Sequence, residues 1–291
     1  MKTSIRKELK TFLIGQDAEL YLLSHGQPAP FEGDIKSEFG LDGATGAARI
    51  CEVRTPPSQC PIEIVNHIHQ VFKRKIKTHP KTLSYDWHGG SFKIAPLGGH
   101  IHAGIDKKAI RPSLANKIVA NYAGALSMAV EVKDEAYKRR NHEDHNYGFL
   151  SDMRMQPWGW ESRCFSSWLV SPAIAAAHLC LFKTVLNETL NNKSFSPNER
   201  FNDDDFFDVN QEKVRNHFDS IWSEITSMQL YPEYKQYIDI FKFLIENKLS
   251  WYPKNMDVKV AWGLNSGTFQ TEPKKLELKH IWGNEQVAGI F

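Results

Sequence analysis

Four stretches of this 291-residue chain carry ionisable side chains two positions apart. They are Asp17-Ala18-Glu19, Glu52-Val53-Arg54, His100-Ile101-His102 and Glu161-Ser162-Arg163. Alternate side chains of an extended strand share a face, about 7 Å apart along the strand, so the two members of each pair point the same way. The residues between and around them are mostly apolar and can pack on a core. The spacing predicts strands with one ionisable face and one apolar face.

If these four strands share a sheet, four carboxylates meet beside two histidines: Asp17, Glu19, Glu52, Glu161, His100 and His102. Two like charges ~4 Å apart cost about 4 kcal/mol at an effective dielectric near 20, so the cluster requires more cations than Arg54 and Arg163 supply. Carboxylate oxygens with an imidazole suit Mg²⁺ or Mn²⁺ better than zinc. Guanidinium groups beside a divalent ion neutralise a transferring phosphoryl group. These residue types predict a nucleotide-phosphate site on a sheet.

The four stretches lie inside longer blocks. The blocks are Ile14-Gly-Gln-Asp-Ala-Glu-Leu20, Glu52-Val-Arg-Thr-Pro-Pro57, Gly98-Gly-His-Ile-His-Ala-Gly104 and Arg154-Met-Gln-Pro-Trp-Gly-Trp-Glu-Ser-Arg163. Taken in order, they resemble the type 2 COOH-NH2 ligases, amidoligases known from phages and bacteria and grouped with glutamine synthetase and glutamate–cysteine ligase. The resemblance covers residues 11–172. It implies an α+β, glutamine synthetase-like catalytic fold, in which a curved, mainly antiparallel sheet carries the active site on one face and helices pack behind.

The resemblance also implies a reaction. A substrate carboxylate attacks the γ-phosphate of ATP, and an amine then opens the acyl phosphate to form an amide or peptide bond. By the same resemblance, Glu19 and Glu52 would bind one Mg²⁺, and Asp17, His100 and Glu161 a second, with Mn²⁺ as an alternative ion. Arg163 would stabilise phosphate, Arg54 and Arg154 would contact phosphate or carboxylate, and His102 would be a metal ligand or support one. The implied catalytic set is Arg54, Arg154, Glu161 and Arg163.

Two other classes of function are consistent with parts of this pattern. A metal-dependent hydrolase or cupin-like enzyme could use His100 and His102, but the chain lacks the later histidine and the carboxylate spacing expected of it. A non-catalytic, nucleotide-binding relative could keep the fold alone. The retention of every acidic and basic motif position argues against that reading. A bound transition metal and hydrolysis without ATP use would favour the hydrolase or cupin-like enzyme. Absence of Mg²⁺-dependent nucleotide binding would favour the non-catalytic relative.

Composition sets the wider expectations. A hydrophobic content of 41% supports one domain over residues 1–291, with a motif-bearing core at 11–172 and a helical portion at 173–291. The net charge of +2 is spread along the chain, so neither nucleic acid nor membrane is an expected partner; the expected partners are small-molecule or peptide substrates. The cysteines, Cys51, Cys60, Cys164 and Cys180, form no C-x-x-C pair, which favours reduced thiols and a cytoplasmic protein.

Periodicity and turn residues predict the remaining elements. Strands are expected at 11–23, 47–55, 154–168, 258–262 and 276–281, with a hairpin turn at Asp42-Gly43. Helices are expected at 61–78, 112–140, 173–190, 211–228 and 233–249, and a solvated loop at 198–208. His67 and His69 are expected on the solvated faces of the first helix, and His178 and His217 on helices outside the four motifs.

Overall fold

The computed structural model describes residues 11–29, 37–42, 50–91, 95–106, 108–142, 145–251 and 257–264. Its strands are β1 (Leu13–Gln16), β2 (Glu19–Ser24), β3 (Gln27–Pro28), β4 (Phe39–Leu41), β5 (Ile50–Val53), β6 (Asp86–His88), β7 (Ile101–Gly104), β8 (Asn141–His142), β9 (His145–Asn146), β10 (Met153–Gln156) and β11 (Gly159–Ser162). Its helices are α1 (Pro61–Thr78), α2 (Pro112–Val119), α3 (Ala125–Val130), α4 (Lys133–Arg140), α5 (Pro172–Asn191), α6 (Asp203–Phe207), α7 (Gln211–Asn216), α8 (Phe218–Ser227), α9 (Tyr231–Glu246) and α10 (Val258–Ala261). A 3₁₀ helix occupies Pro80–Ser84, and a π-helical turn, Ala120–Gly124, joins α2 to α3.

The strands that carry the four motifs belong to two antiparallel sheets. One has the order β1-β7-β11-β10, and the other β3-β2-β5-β4 with β6 also on β2. The predicted strand at 11–23 is broken at Asp17-Ala18, where the chain passes from the first sheet to the second. There the Gln16 Oε1 accepts a hydrogen bond from the Ala18 amide (2.8 Å), and the Ala18 carbonyl accepts one from Val53 (2.9 Å). The α+β class with antiparallel sheets is confirmed, but the idea of one sheet for all four stretches is wrong.

The predicted fourth strand at 154–168 is a hairpin. Its two arms, β10 and β11, pair with Arg154 opposite Glu161, and Pro157 and Trp158 form the turn. A proline and the following Trp158-Gly159 pair suit a turn, so the sequence signal for the reversal was present. The hairpin matters for the site because it turns Arg154 back onto Glu161.

The apolar faces of the sheets and the helices form a continuous core that includes residues from Phe12 to Trp262. Helix α5 lies at its centre and packs against α9 and α1. It is buried almost along its whole length, and Ser171 caps its N-terminus by accepting a hydrogen bond from the Ile174 amide (3.2 Å). Among the described helices, none has the length and apolar character required to span a membrane.

Several local expectations were wrong. The helix expected at 112–140 is interrupted after Val130, where Glu131 is extended, and helix α4 then continues to Arg140. The buried Glu131 carboxylate forms a two-point ion pair with Arg140 (2.7 and 3.1 Å). The strand expected at 258–262 is instead the short helix Val258–Ala261, which the Asp257 side chain caps by accepting a hydrogen bond from the Lys259 amide. His69, expected on a solvated face, is buried.

The predicted helix at 211–228 is divided into α7 and α8, and α6 begins inside the predicted loop, where an Asn202–Asp205 capping box starts it. Gly43 and residues 276–281 lie outside the described residues.

Candidate active site

One face of the four-stranded sheet carries side chains from all its strands. Gly15 of β1 lies opposite His102 of β7, His102 opposite Glu161 of β11, and Glu161 opposite Arg154 of β10. Cross-strand partners point to the same side, so these side chains share a face. Ile101, Ala103 and Trp160 point to the other face and are buried in the core. The predicted division into a chemical face and an apolar face is therefore present in this sheet.

Asp17, His100 and Glu161 form the tightest group on this face. Each offers one donor atom, and these atoms lie within 4.8 Å of one another. Asp17 Oδ1 is 3.0 Å from His100 Nδ1, which in turn is 3.5 Å from Glu161 Oε1. His102 Nε2 lies 3.1 Å from Asp17 Oδ1 but is not aligned for a hydrogen bond. The break between β1 and β2 thus places Asp17 beside both histidines.

Glu161 is buried and its two oxygens are in different surroundings. Oε2 accepts hydrogen bonds from Arg154 Nε (2.9 Å) and Gln156 Nε2 (3.0 Å). Oε1 has no hydrogen-bond partner, although Arg163 Nε is 3.6 Å away. A buried carboxylate oxygen without a partner is costly, and Oε1 is the oxygen that lies 3.5 Å from His100 Nδ1 in the group that also contains Asp17. A divalent cation among these three donors would satisfy it, and the donor set of two carboxylates and one imidazole suits Mg²⁺ or Mn²⁺.

Glu19 and Glu52 lie on the neighbouring sheet as direct cross-strand partners of β2 and β5. Like charges in that position destabilise a sheet unless something neutralises them. Glu52 pairs with Arg54 and interacts with Asp17, which connects the two sheets' acidic groups. Glu19 Oε2 accepts a hydrogen bond from the Gly98 amide (2.5 Å), and the Gly98 carbonyl accepts one from Glu19 (2.9 Å).

The pKa values of these carboxyls are shifted by burial and by their charged neighbours. Burial raises the pKa of Glu19 to about 7, against the opposing effect of the nearby His100. Burial and the charge of Asp17 raise the pKa of Glu52 to about 9, although Arg54 opposes the shift. Burial acts on Asp17 in the same direction, but its hydrogen bond with His100 and the close approach of both His100 and His102 outweigh it and hold the pKa well below the usual range. Burial therefore favours the protonated form of Glu19 and Glu52, whereas the two histidines favour the ionised form of Asp17.

The three predicted arginines surround the acidic groups at different places. Arg154 is half-exposed and bound to Glu161, and Arg163 lies between Glu161 and Asp152, with Nη1 3.5 Å from Asp152 Oδ1. Arg54, on the second sheet, donates to the carbonyls of Ser37 (3.2 Å) and Leu41 (3.3 Å) as well as to Glu52. All the predicted site residues thus lie in one region.

Sequence reasoning missed Tyr147. Its hydroxyl contacts His100 Nε2, the ring nitrogen that faces away from Asp17. Its ring lies between two guanidinium groups, with the Arg139 Cζ 4.3 Å and the Arg163 Cζ 4.7 Å from the ring centroid. No local pattern marks this residue, because it follows a short polar hairpin far from the four motifs. The remaining histidines highlighted by the sequence, His67, His69, His178 and His217, lie elsewhere on helices or at a helix end.

Comparison with known proteins gives the family. The model of the phage phiEco32-like COOH.NH2 ligase-type 2 family matches residues 14–264. A solved structure described as "Crystal structure of novel glutamine synthase homolog" aligns over 81% of this chain and 70% of its own, with 12% sequence identity and a TM-score of 0.37. A search of curated proteins finds no match.

The family match covers most of the chain and includes all four motif stretches. It confirms the resemblance predicted from the ordered blocks. The chain therefore belongs to the phage phiEco32-like COOH.NH2 ligase-type 2 family and is, by that membership, a carbon–nitrogen ligase.

Proposed function

We propose that this ligase uses ATP and Mg²⁺ to join a carboxylate to an amine through an acyl phosphate. One observation carries the proposal: Asp17, Glu19, Glu52 and Glu161 meet where the two sheets adjoin, with guanidinium groups beside them. Buried carboxyls this close together can all be ionised only when divalent cations lie among them. Cations flanked by arginines form an environment that holds and neutralises phosphoryl groups.

Asp17, His100 and Glu161 are the residues that would hold one Mg²⁺, or Mn²⁺ in its place. The unpartnered Oε1 of Glu161 and the close approach of the three donor atoms support this assignment. Glu19 and Glu52 would contribute to a second ion, since they are direct cross-strand partners and Glu52 also interacts with Asp17. The bound ions would supply charge neutralisation for the ATP phosphates.

The chain's own side chains would then position the reactants. Arg154 and Arg163 flank Glu161 and would donate hydrogen bonds to phosphate oxygens, while Arg54 would serve phosphate or carboxylate from the second sheet. His102, beside Asp17, would contact the nucleotide phosphates or support the metal ligands. In the reaction a carboxylate oxygen attacks the γ-phosphorus and ADP leaves. The amine nitrogen then attacks the acyl carbon, phosphate leaves, and the nitrogen loses a proton.

The donor set argues against the hydrolase and cupin alternatives. In the described part of the chain, the group of donor atoms close enough to share an ion contains a single imidazole, that of His100. Zinc and the transition metals of cupins prefer more nitrogen or sulfur ligands. The substrates we propose are small-molecule or peptide carboxylates and amines. We also propose a cytoplasmic location, consistent with four cysteines that are all free thiols, and one ligase domain over residues 1–291, consistent with the continuous core.

The direct test is release of ADP by the purified protein with ATP, Mg²⁺ and a panel of carboxylates and amines. We expect ADP release to depend on both substrates and to stop when EDTA removes the cation. Arg163→Lys keeps the positive charge but not the planar guanidinium, so it should lower turnover strongly, whereas Arg74→Lys, on the exposed face of α1, is the matched control. Amide formation without nucleotide consumption, or hydrolysis supported by zinc alone, would contradict the proposal.

A further inference from the structure

A pocket opens on the ionisable face of the four-stranded sheet, beside the acidic cluster. Its volume is about 270 Å³. It is lined by Leu13, Ile14, Gly15, Gln16, Thr55, Pro57, His102, Gly104 and Trp158. Gly15 and Gly104 face the front of the sheet without side chains, so backbone forms the floor of this pocket.

The walls of this pocket are mainly apolar. Leu13 and Trp158 line it although their side chains remain 43% and 46% exposed, and the indole lies against the His102 ring with centroids 4.8 Å apart. The Gln16 amide is used within the protein, because its Nε2 donates to Thr55 Oγ1 (3.1 Å) and its Oε1 accepts from the Ala18 amide. An occupant would therefore meet apolar surface rather than a set of hydrogen-bonding groups. A purine, with several polar ring atoms, fits that surface less well than a hydrocarbon group.

The position of the pocket relative to the charged groups suggests which reactant uses it. In the order β1-β7-β11-β10, the pocket's sheet residues belong to β1 and β7, and Trp158 joins them from the turn between β10 and β11. Glu161 is on β11, and Arg154 is on the opposite edge strand. The edge strands are separated by about 14 Å at ~4.8 Å per strand. Anionic phosphates suit the arginine side, which leaves the pocket for the group attached to the carboxylate on the other side of the cluster. The volume is below the ~300–1,000 Å³ of a complete ligand site and suits one side chain.

We propose that this pocket binds the apolar side chain of the substrate whose carboxylate is activated, and that it sets the ligase's preference for an aliphatic or aromatic residue over a charged one. This inference rests on the proposed function and adds the class of carboxylate substrate to it. Substrate apolar area removed from water at Leu13, Pro57 and Trp158 supplies the selectivity.

Two variants change the pocket without touching the acidic cluster. Gly104→Ala adds a methyl group to the floor, where its Cβ would lie 3.4 Å from the Leu13 carbonyl oxygen and 3.5 Å from the Leu13 Cβ, ordinary contact distances that the fold can accept. Leu13→Ala removes part of one wall. Leu114→Ala is the matched control, since Leu114 is 46% exposed on α2 and does not line the pocket.

The assay uses hydroxylamine as the amine, so that only the carboxylate varies. Its nitrogen attacks the acyl phosphate, phosphate leaves, and the hydroxamate is measured together with ADP. The carboxylates are N-acetylglycine, N-acetylleucine, N-acetylphenylalanine and N-acetylaspartate, each alongside the free amino acid. We expect the leucine or phenylalanine compounds to have the highest kcat/KM. Gly104→Ala should reduce kcat/KM for the preferred apolar compound about tenfold or more, mainly through KM, while Leu114→Ala leaves it unchanged.

Three results would overturn the inference while leaving the ligase function intact. The first is a preference for the aspartate compounds, and the second is a carboxylate ranking that neither pocket variant alters. The third is inhibition by adenosine that Gly104→Ala abolishes, because this result would assign the pocket to the nucleotide base. If no compound yields ADP or hydroxamate, the proposed function fails, and calorimetric titration of N-acetylphenylalanine separates the two ideas. Binding that Gly104→Ala weakens would still support the apolar side-chain pocket, and absence of binding would overturn it.

Discussion

Replacement of Glu161 by glutamine should remove cation binding while keeping the fold. The amide has nearly the shape of the carboxylate, and its oxygen can still accept the hydrogen bonds that Arg154 and Gln156 donate to Oε2. Its NH2 group would replace Oε1, the unpartnered oxygen that lies 3.5 Å from His100 Nδ1. The proposed ligand oxygen is thereby exchanged for a hydrogen-bond donor, and one carboxyl leaves the cluster.

The magnitude follows from linkage between cation binding and folding. A cation at 100 times its Kd stabilises the folded state by about 2.7 kcal/mol. For a chain of this size, each kcal/mol shifts Tm by roughly 2–4 °C, so Mg²⁺ should raise the wild-type Tm by roughly 5–10 °C. Loss of a supporting group already costs about 10–100-fold in metal affinity, so loss of a direct ligand should cost at least ~100-fold. At the same Mg²⁺ concentration the variant then keeps only about 0.4 kcal/mol, roughly 1 °C.

The assay is a thermal unfolding curve recorded with EDTA and with excess Mg²⁺. Glu199→Gln is the matched control, because Glu199 is exposed and pairs only with the surface residue Lys117 in the contacts described. The control should keep the full Mg²⁺-dependent shift and normal ADP release. A folded Glu161→Gln protein that shows the wild-type shift would refute the assignment of Glu161 as a ligand, and unaltered ADP release would refute its role in turnover.

The structure yields four further predictions. Tyr147→Phe removes the hydroxyl that contacts His100 Nε2, so ADP release should fall about 10–100-fold while the circular dichroism spectrum is unchanged; a rate equal to wild type would refute this positioning role. Gly98→Ala would overlap with both of these side chains, and urea titration should show a loss of about 1–3 kcal/mol; an unchanged midpoint would contradict this. Burial lowers the pKa of His178 to about 4, so between this value and the unfolded-state pKa near 6.5 the unfolded chain binds more protons than the folded one. The stabilisation that the neutral His178 contributes is therefore complete above pH 6.5, and about 3 kcal/mol of it is lost as the pH falls to 4. Denaturant titration across this pH range measures the loss, and His178→Gln should flatten the pH dependence. His217→Ala, at an exposed helix end outside the site, should leave ADP release within twofold of wild type, and a larger loss in folded protein would show that the site extends further.

Local sequence determined the elements whose signals are short-range. Helix α1 begins at Pro61 and ends at Thr78 as predicted, because a proline at the first turn, an apolar stripe and late lysines all act within one helix. The Ser171 cap of α5 is equally local. The residue types of the four motifs predicted the family, since alternation with period two and the chemistry of carboxylate, imidazole and guanidinium groups are readable without a structure. A single misplaced strand at 258–262 shows that alternation over five residues does not distinguish a strand from a capped helical turn.

The convergence of the site was decided by tertiary structure. The contact of Asp17 with His100 and that of Tyr147 with His100 depend on pairing between segments 83 and 47 residues apart. Strand register and sheet membership are set by the packing of the whole core, which no local window contains. The sequence by itself therefore determined which groups are available for chemistry. The fold decided which of their atoms face one another, because only the packed core brings distant strands into register.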